Sequence, residues 1–187
     1  MLTMLVYINN NKTMKELIRK VLKESVYGKD LMEKGEIITA MYNDIEDKED
    51  LLGNREIGNR ETGVTIMDDL FWYIIDLVDY KKDDDYRRVK KYLTDLNRLA
   101  GVPSNVFKLL SRIIMFKSTA LDISSGRGRG IDVSDDSWGD LRVDVISRGK
   151  EFYDKAVKSS YVMKKMAEHR DYTESFMYGI PYPNDLM

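Results

Sequence analysis

The stretch Thr65-Ile-Met-Asp-Asp-Leu-Phe-Trp-Tyr-Ile-Ile-Asp-Leu-Val-Asp-Tyr80 most constrains what this chain can become. At helical spacing, Ile66, Met67, Leu70, Phe71, Ile74, Ile75, Leu77 and Val78 cover most of the circumference. A helix that is apolar nearly all round must be surrounded by protein. Residues 65–80 are therefore expected to form a central helix with others packed about it. Trp72 and Tyr73 widen the apolar face on either side. Packing or contact with a protein partner is the expectation for both, ahead of an aromatic cage for a ligand. The unbroken apolar run Leu70 to Ile75 falls far short of the roughly 20 residues that span a bilayer.

The flanking sequence supplies the surrounding helices. Thr13 and Glu16 form a capping box, Met14, Leu17, Ile18, Val21 and Leu22 recur at helical spacing, and Gly28 provides a stop. A second helix is expected from Asp30, burying Ile37, Ile38, Met41, Tyr42 and Ile45, with Gly35 arguing against a single straight rod. Gly53 to Gly63 nearly repeats a five-residue unit and reads as a polar loop, since its Arg–Glu pairs neutralise themselves. Asp83-Asp-Asp85 complements the dipole of a helix over Tyr86 to Ala100. Residues 137–146 carry both strand alternation and a helix cap, so they stay open between the two. Ser147 to His169 reads as one helix, and Tyr178-Gly-Ile-Pro-Tyr-Pro183 as an extended segment that docks on its own core or on a neighbour.

The expected fold is mainly α, a single-domain bundle of five to seven helices with at most a minor β element. Its core is built on Leu17, Ile38, Leu70, Ile74, Leu96, Phe107, Leu110 and Ile114. The helical domain covers 1–170, with a mobile Gly/Arg loop at 118–136, and an extended tail covers 171–187. The 187 residues suit one domain. With no cysteine, disulfides, thiolate metal sites and cysteine nucleophiles are excluded. The single histidine, His169, lies near a helix end, where a charge favourable to the dipole is the plain reading. Asp132, Asp135, Asp136, Asp140 and Asp144 lack the glycine and closing glutamate of a calcium loop. No glycine-rich phosphate motif or nucleophile elbow stands out, so the reading is non-catalytic, with no cofactor, no metal and no small-molecule substrate.

The most informative local motif is Tyr92-Leu-Thr-Asp-Leu-Asn-Arg-Leu-Ala-Gly-Val-Pro-Ser-Asn-Val-Phe-Lys-Leu-Leu-Ser-Arg112. Gly101 permits a positive φ, Pro103 fixes φ for the restart, and Ser104 or its neighbour caps the next helix. The segment resembles the helix-turn-helix of DNA-binding repressors, within a helix-turn-helix-like region spanning 85–117. The resemblance implies nucleic-acid contacts by Ser104, Asn105, Lys108, Ser111 and Arg112. By composition alone, Arg127 and Arg129 belong either to a mobile interhelix loop or to a phosphate-contacting arm. The sequence departs from the pattern at Asn97, where a small residue is usual, and at Val106 and Leu109, which widen the apolar face. The same segment is similar to helical pairs in the internal proteins of tailed phages, which implies a packing unit in a phage-encoded virion or assembly component.

Charge is segregated along the chain. Thirty Lys/Arg against 32 Asp/Glu give a net −2. Yet residues 81–117 hold ten basic and four acidic side chains, while 29–56 hold four basic and nine acidic. The leading expectation is thus a non-catalytic structural or interaction protein, with a protein partner or self-association through Trp72, Tyr73, Ile180 and Tyr182. The alternative is a helix-turn-helix DNA binder using residues 81–130. No membrane is involved on either reading, and the expected location is intracellular (cytoplasmic), or the virion if the chain is phage-encoded.

Overall fold

In the computed structural model, residues 25–52, 63–80, 86–125, 131, 133–172 and 176–181 are described. They form seven α-helices in one helical domain with no strand among the described residues: α1 (Val26–Leu52), α2 (Gly63–Val78), α3 (Tyr86–Arg98), α4 (Ser104–Ser125), α5 (Asp135–Ser147), α6 (Lys150–Lys158) and α7 (Ser160–His169). A single 3-10 turn, Phe176–Gly179, follows. The expected helix over residues 13–28 and the loop at 53–63 lie almost wholly outside the described residues, as do Asp83 to Asp85 and the heart of the Gly/Arg loop.

α1 is one uninterrupted helix through Gly35. The reason is the partner rather than the propensity: a Cβ at Gly35 would sit 2.5 Å from the Ala100 Cβ. Glycine therefore lets α1 cross the end of α3 at backbone distance, a gain that offsets its poor helix propensity. From there α1 packs on α2 and α3. Leu31, Ile38, Tyr42 and Ile45 face inward.

α2 takes the central position that its composition demands, with Leu70, Phe71, Trp72, Ile74, Ile75 and Val78 all buried. Its C-terminal carbonyls are not left bare. Arg88 Nη2 donates to the carbonyl oxygens of Val78 and Asp79, each at 3.0 Å. The α3–α4 corner follows the motif closely. Gly101 adopts φ +82°, and the Val102 amide donates back to the Leu96 carbonyl at 3.0 Å. Asn97, the odd residue of the repressor pattern, donates from Nδ2 to the Val102 carbonyl at 2.8 Å and so ties the corner shut.

α4 is the pillar of the second half, packing against α5, α6 and α7. It runs to Ser125, so the expected loop at 118–136 begins later than its composition suggested. Buried Leu121, together with Asp122 accepting the Trp138 Nε1–H at 2.6 Å, holds those extra turns. Residues 137–146 are helical. Ser134 is the cap, its Oγ accepting the Ser137 amide. The expected single helix over 147–169 is two helices. Gly149, at φ +92°, turns the chain before α6, and extended backbone at Ser159 separates α6 from α7. That break lets Met163 and Met166 of α7 bury against α4, α5 and α6.

Residues 176–181, the described part of the tail beyond residue 172, form a strap on the core. The 3-10 turn packs on α3 and α5, Phe176 lies 5.1 Å from the Tyr80 ring, and Ile180 is buried. A Cβ at Gly179 would stand 2.7 Å from Val89 Cγ1, which makes glycine the residue that permits this seat.

Two glycines inside helices give a paired test. Gly35→Ala is expected to lower thermal stability despite its helix-propensity gain of about 1 kcal/mol, because the new methyl collides with Ala100. Gly139→Ala, with nothing within 4 Å of the added carbon, is expected to raise stability by up to about 1 kcal/mol. Urea unfolding of both variants measures the contrast, and equal shifts would remove the close-crossing explanation.

Candidate functional site

Phe107, Leu110, Ile114, Lys117 and Leu121 repeat at intervals of three and four along α4, so they share its buried stripe. One of them is charged. Lys117 is only 6 % exposed, and its Nζ lies 5.4 Å from the Phe71 ring, 4.8 Å from Trp72 and 5.0 Å from Tyr153. The ammonium pairs with Asp68 Oδ1 at 2.8 Å, a carboxylate that still reaches solvent. A desolvated cation needs both kinds of neighbour: the ring faces attract it electrostatically, and the carboxylate neutralises it. The cluster joins α2, α4 and α6 at one point. The Tyr153 hydroxyl adds a long bond, donating to the Lys117 carbonyl at 3.5 Å.

Sequence reasoning missed Lys117, although a signal existed. A lysine in register with a buried heptad stripe must either snorkel out or find a partner.

A second ionic knot sits at the end of α5. Asp144, 1 % exposed, accepts from Arg148 Nε at 2.8 Å, and Arg148 Nη2 donates to the Asp171 carbonyl at 2.7 Å. The arginine thereby ties α5 to the chain just after α7. This gives Asp144 a structural role. Among the described residues no group of three His, Cys, Asp or Glu is placed to hold a metal ion. A basin of about 550 Å³ beside this knot is lined by Asp76, Arg148, Lys150, Glu151 and Asp154, opposing charges that favour no single ligand sign.

The outer face of α4 has a different character. Ser104, Asn105, Lys108 and Arg112 are exposed on its first half, whereas Ser111 is half-buried and donates to the Phe107 carbonyl. Val106, Phe107 and Leu110 are buried on the opposite side. α1 lies alongside, and with Tyr42, Ile45 and Glu46 it forms one wall of a cleft of about 310 Å³ whose other wall is Asn105, Lys108, Leu109 and Arg112. The face that the helix-turn-helix resemblance would insert into a groove is therefore the side of a concavity, with an acidic residue opposite the two cations.

Further along, the same face turns apolar. Met115, Phe116 and Ile123 are 67 %, 70 % and 75 % exposed, the three most exposed large hydrophobic side chains among the described residues.

Of the partner contacts expected from sequence, Trp72 and Ile180 are buried in the fold and offer no surface. Trp72 is held by Phe71, Tyr153 and Lys117. Tyr73 is half-buried, and Tyr182, Arg127 and Arg129 lie outside the described residues. His169 is exposed in the last turn of α7. No helix among the described residues is long and apolar enough to cross a membrane.

Fold and core together define a small all-α protein whose centre is an aromatic-caged ion pair. Residues 67–182 match the family described as protein of unknown function (DUF4240), and the chain belongs to that family. No curated protein and no solved structure matches the chain. The matched span takes in Asp68, the Lys117 cluster and the Asp144 knot, whereas α1 lies outside it.

Removing either half of the ion pair should cost stability unequally. Lys117→Met leaves a carboxylate that water can reach, at about 2 kcal/mol, whereas Asp68→Ala strands a buried ammonium, at about 3–5 kcal/mol. Denaturant unfolding of the two variants decides, and an equal or reversed order would refute Asp68 as the group that the buried ammonium needs for its neutralisation.

Two tyrosines give a pH test. Burial first, then nearby carboxylates including Asp68, pushes Tyr153 up to about 12. Burial likewise brings Tyr92 to about 12, with the charges of Asp30, Tyr27 and Tyr73 adding to the effect. Each folded value lies above the unfolded value near 10, so the stabilising contribution is complete below pH 10 and is lost as pH rises towards 12. Absorbance at about 295 nm should place these two among the late-ionising phenols, and Tyr92→Phe should remove one late ionisation. The Tyr92 hydroxyl is buried with no partner, so that variant should be neutral or more stable.

Proposed function

We propose that this protein is a non-catalytic interaction protein, working as a component of a larger assembly through the outer face of α4. The observation that carries this reading is the clustering of Met115, Phe116 and Ile123 on one helix face, at exposures of 67–75 %. Exposed apolar side chains that cluster, rather than scatter, mark contact surfaces. The ionic groups of the interior support the same reading. Lys117 and Asp144 are buried, and each is held in an ion pair within the fold, with Asp68 and Arg148 respectively. A phage-encoded virion or assembly role is the particular form of this proposal that the resemblance to tailed-phage internal proteins favours.

Binding of duplex DNA is the second reading. It is favoured by Lys108 and Arg112, exposed one turn apart, and opposed by the concave setting beside Glu46.

The first reading predicts that tagged wild-type protein retains specific partners from a native lysate, or associates with itself, and that Phe116→Glu abolishes this while leaving helicity intact. A strictly monomeric protein whose lysate profile does not change with Phe116→Glu would overturn it. On the second reading, mobility shift of random duplex DNA should weaken steeply with salt and with Arg112→Ala. Absence of any shift at low salt ends that reading.

A further inference from the structure

The exposed face of α4 has a polarity that selects its occupant. Arg112 stands at its N-terminal end, exposed and without an ionic partner among the described residues. Met115, Phe116, Thr119 and Ile123 follow at spacings of one, three and four, which keeps them on one side of the helix. Asp122 stands beside the far end, its side chain 48 % exposed. Trp138 and Arg142 both use its Oδ1. The stripe thus reads cation, then apolar, then a carboxylate shared with Arg142 along its length.

We infer that this face binds a second copy of the chain, α4 against α4, in antiparallel orientation. A surface with an exposed cation at one end and a half-exposed carboxylate at the other brings cation towards carboxylate only when the second helix is reversed. Parallel pairing would set Arg112 against Arg112. With the two-fold axis near Thr119, Met115 of one copy lies opposite Ile123 of the other and the two Phe116 rings flank the axis. Arg112 then comes within about one turn, roughly 5–6 Å along the axis, of the other copy's Asp122. A two-fold contact uses the same patch on both subunits, which is the condition that this stripe meets. The basic half of the face, Lys108 with Arg112, also restrains parallel or shifted registers by repulsion. This inference rests on the α4 face being a contact surface and names what covers it.

The chain's lack of cysteine allows a direct test. Thr119→Cys, on an exposed position, should cross-link to a covalent dimer under mild oxidation. Met115→Cys and Ile123→Cys should cross-link strongly when the two variants are mixed, and several-fold less when each is alone. Light scattering of purified wild-type protein at roughly 100 μM should give a mass well above the 21.8 kDa monomer, because a contact of about 1 μM would be saturated there. Phe116→Glu and Arg112→Glu should each return the mass to the monomer, with circular dichroism unchanged. A monomeric wild type with no Thr119→Cys dimer overturns the inference. If that monomer still loses a lysate partner on Phe116→Glu, the contact-surface reading stands while the second copy falls. If nothing is lost, both fall. Cross-linking by Met115→Cys alone as efficiently as by the mixture would overturn the antiparallel register.

Discussion

The ammonium of Lys117, held between Phe71, Trp72 and Tyr153 and neutralised by Asp68, is the point on which the rest of the structure depends. It is where α2, α4 and α6 meet. Hydrophobic contact alone is non-directional and would let three helices slide past one another at little cost. A buried cation with a fixed carboxylate and three ring faces does not permit sliding, because a shift of one residue leaves a charge without support. The cluster thus sets register between helices that are distant in sequence. The Asp144–Arg148–Asp171 knot does the same between α5 and the segment that leads into the C-terminal strap.

Both devices lie within the span shared with the family, and α1 lies outside it. The arrangement of α1 is consistent with that division. It touches the core through α2 and α3, it is admitted by Gly35 against Ala100, and it forms the acidic wall of the cleft beside Lys108 and Arg112. The charge segregation noted in the sequence finds a partial explanation here. The acidic segment 29–56 contributes α1, the basic segment 81–117 contributes α3 and the start of α4, and the two run side by side.

Much of the fold was legible in advance, for reasons that differ by element. α2 was readable because its apolar circumference admits one environment only. The α3–α4 corner was readable because Gly101 admits a positive φ and Pro103 fixes its own φ, both local effects. What misled was also physical. Asn97 looked like a defect in a repressor motif and is instead a side-chain tie to Val102. Trp72 stayed open between packing and partner contact because its partners in the core, Lys117 and Tyr153, lie 45 and 81 positions away. The long helix expected over 147–169 is divided because Gly149 takes a positive φ, which glycine permits, and Ser159 takes extended backbone.

By itself, then, the sequence determined a cysteine-free, all-α chain with a central apolar helix and a glycine-marked corner, since periodicity, turn chemistry and composition act over a few residues at a time. Tertiary structure alone decided which charges are buried and which apolar side chains are left outside. The i, i+3, i+4 pattern of α4 is the same for Lys117 as for Leu121, and Phe116 is no less hydrophobic than Phe107. Whether a side chain on such a helix meets rings, a carboxylate or water depends on what the other helices bring alongside.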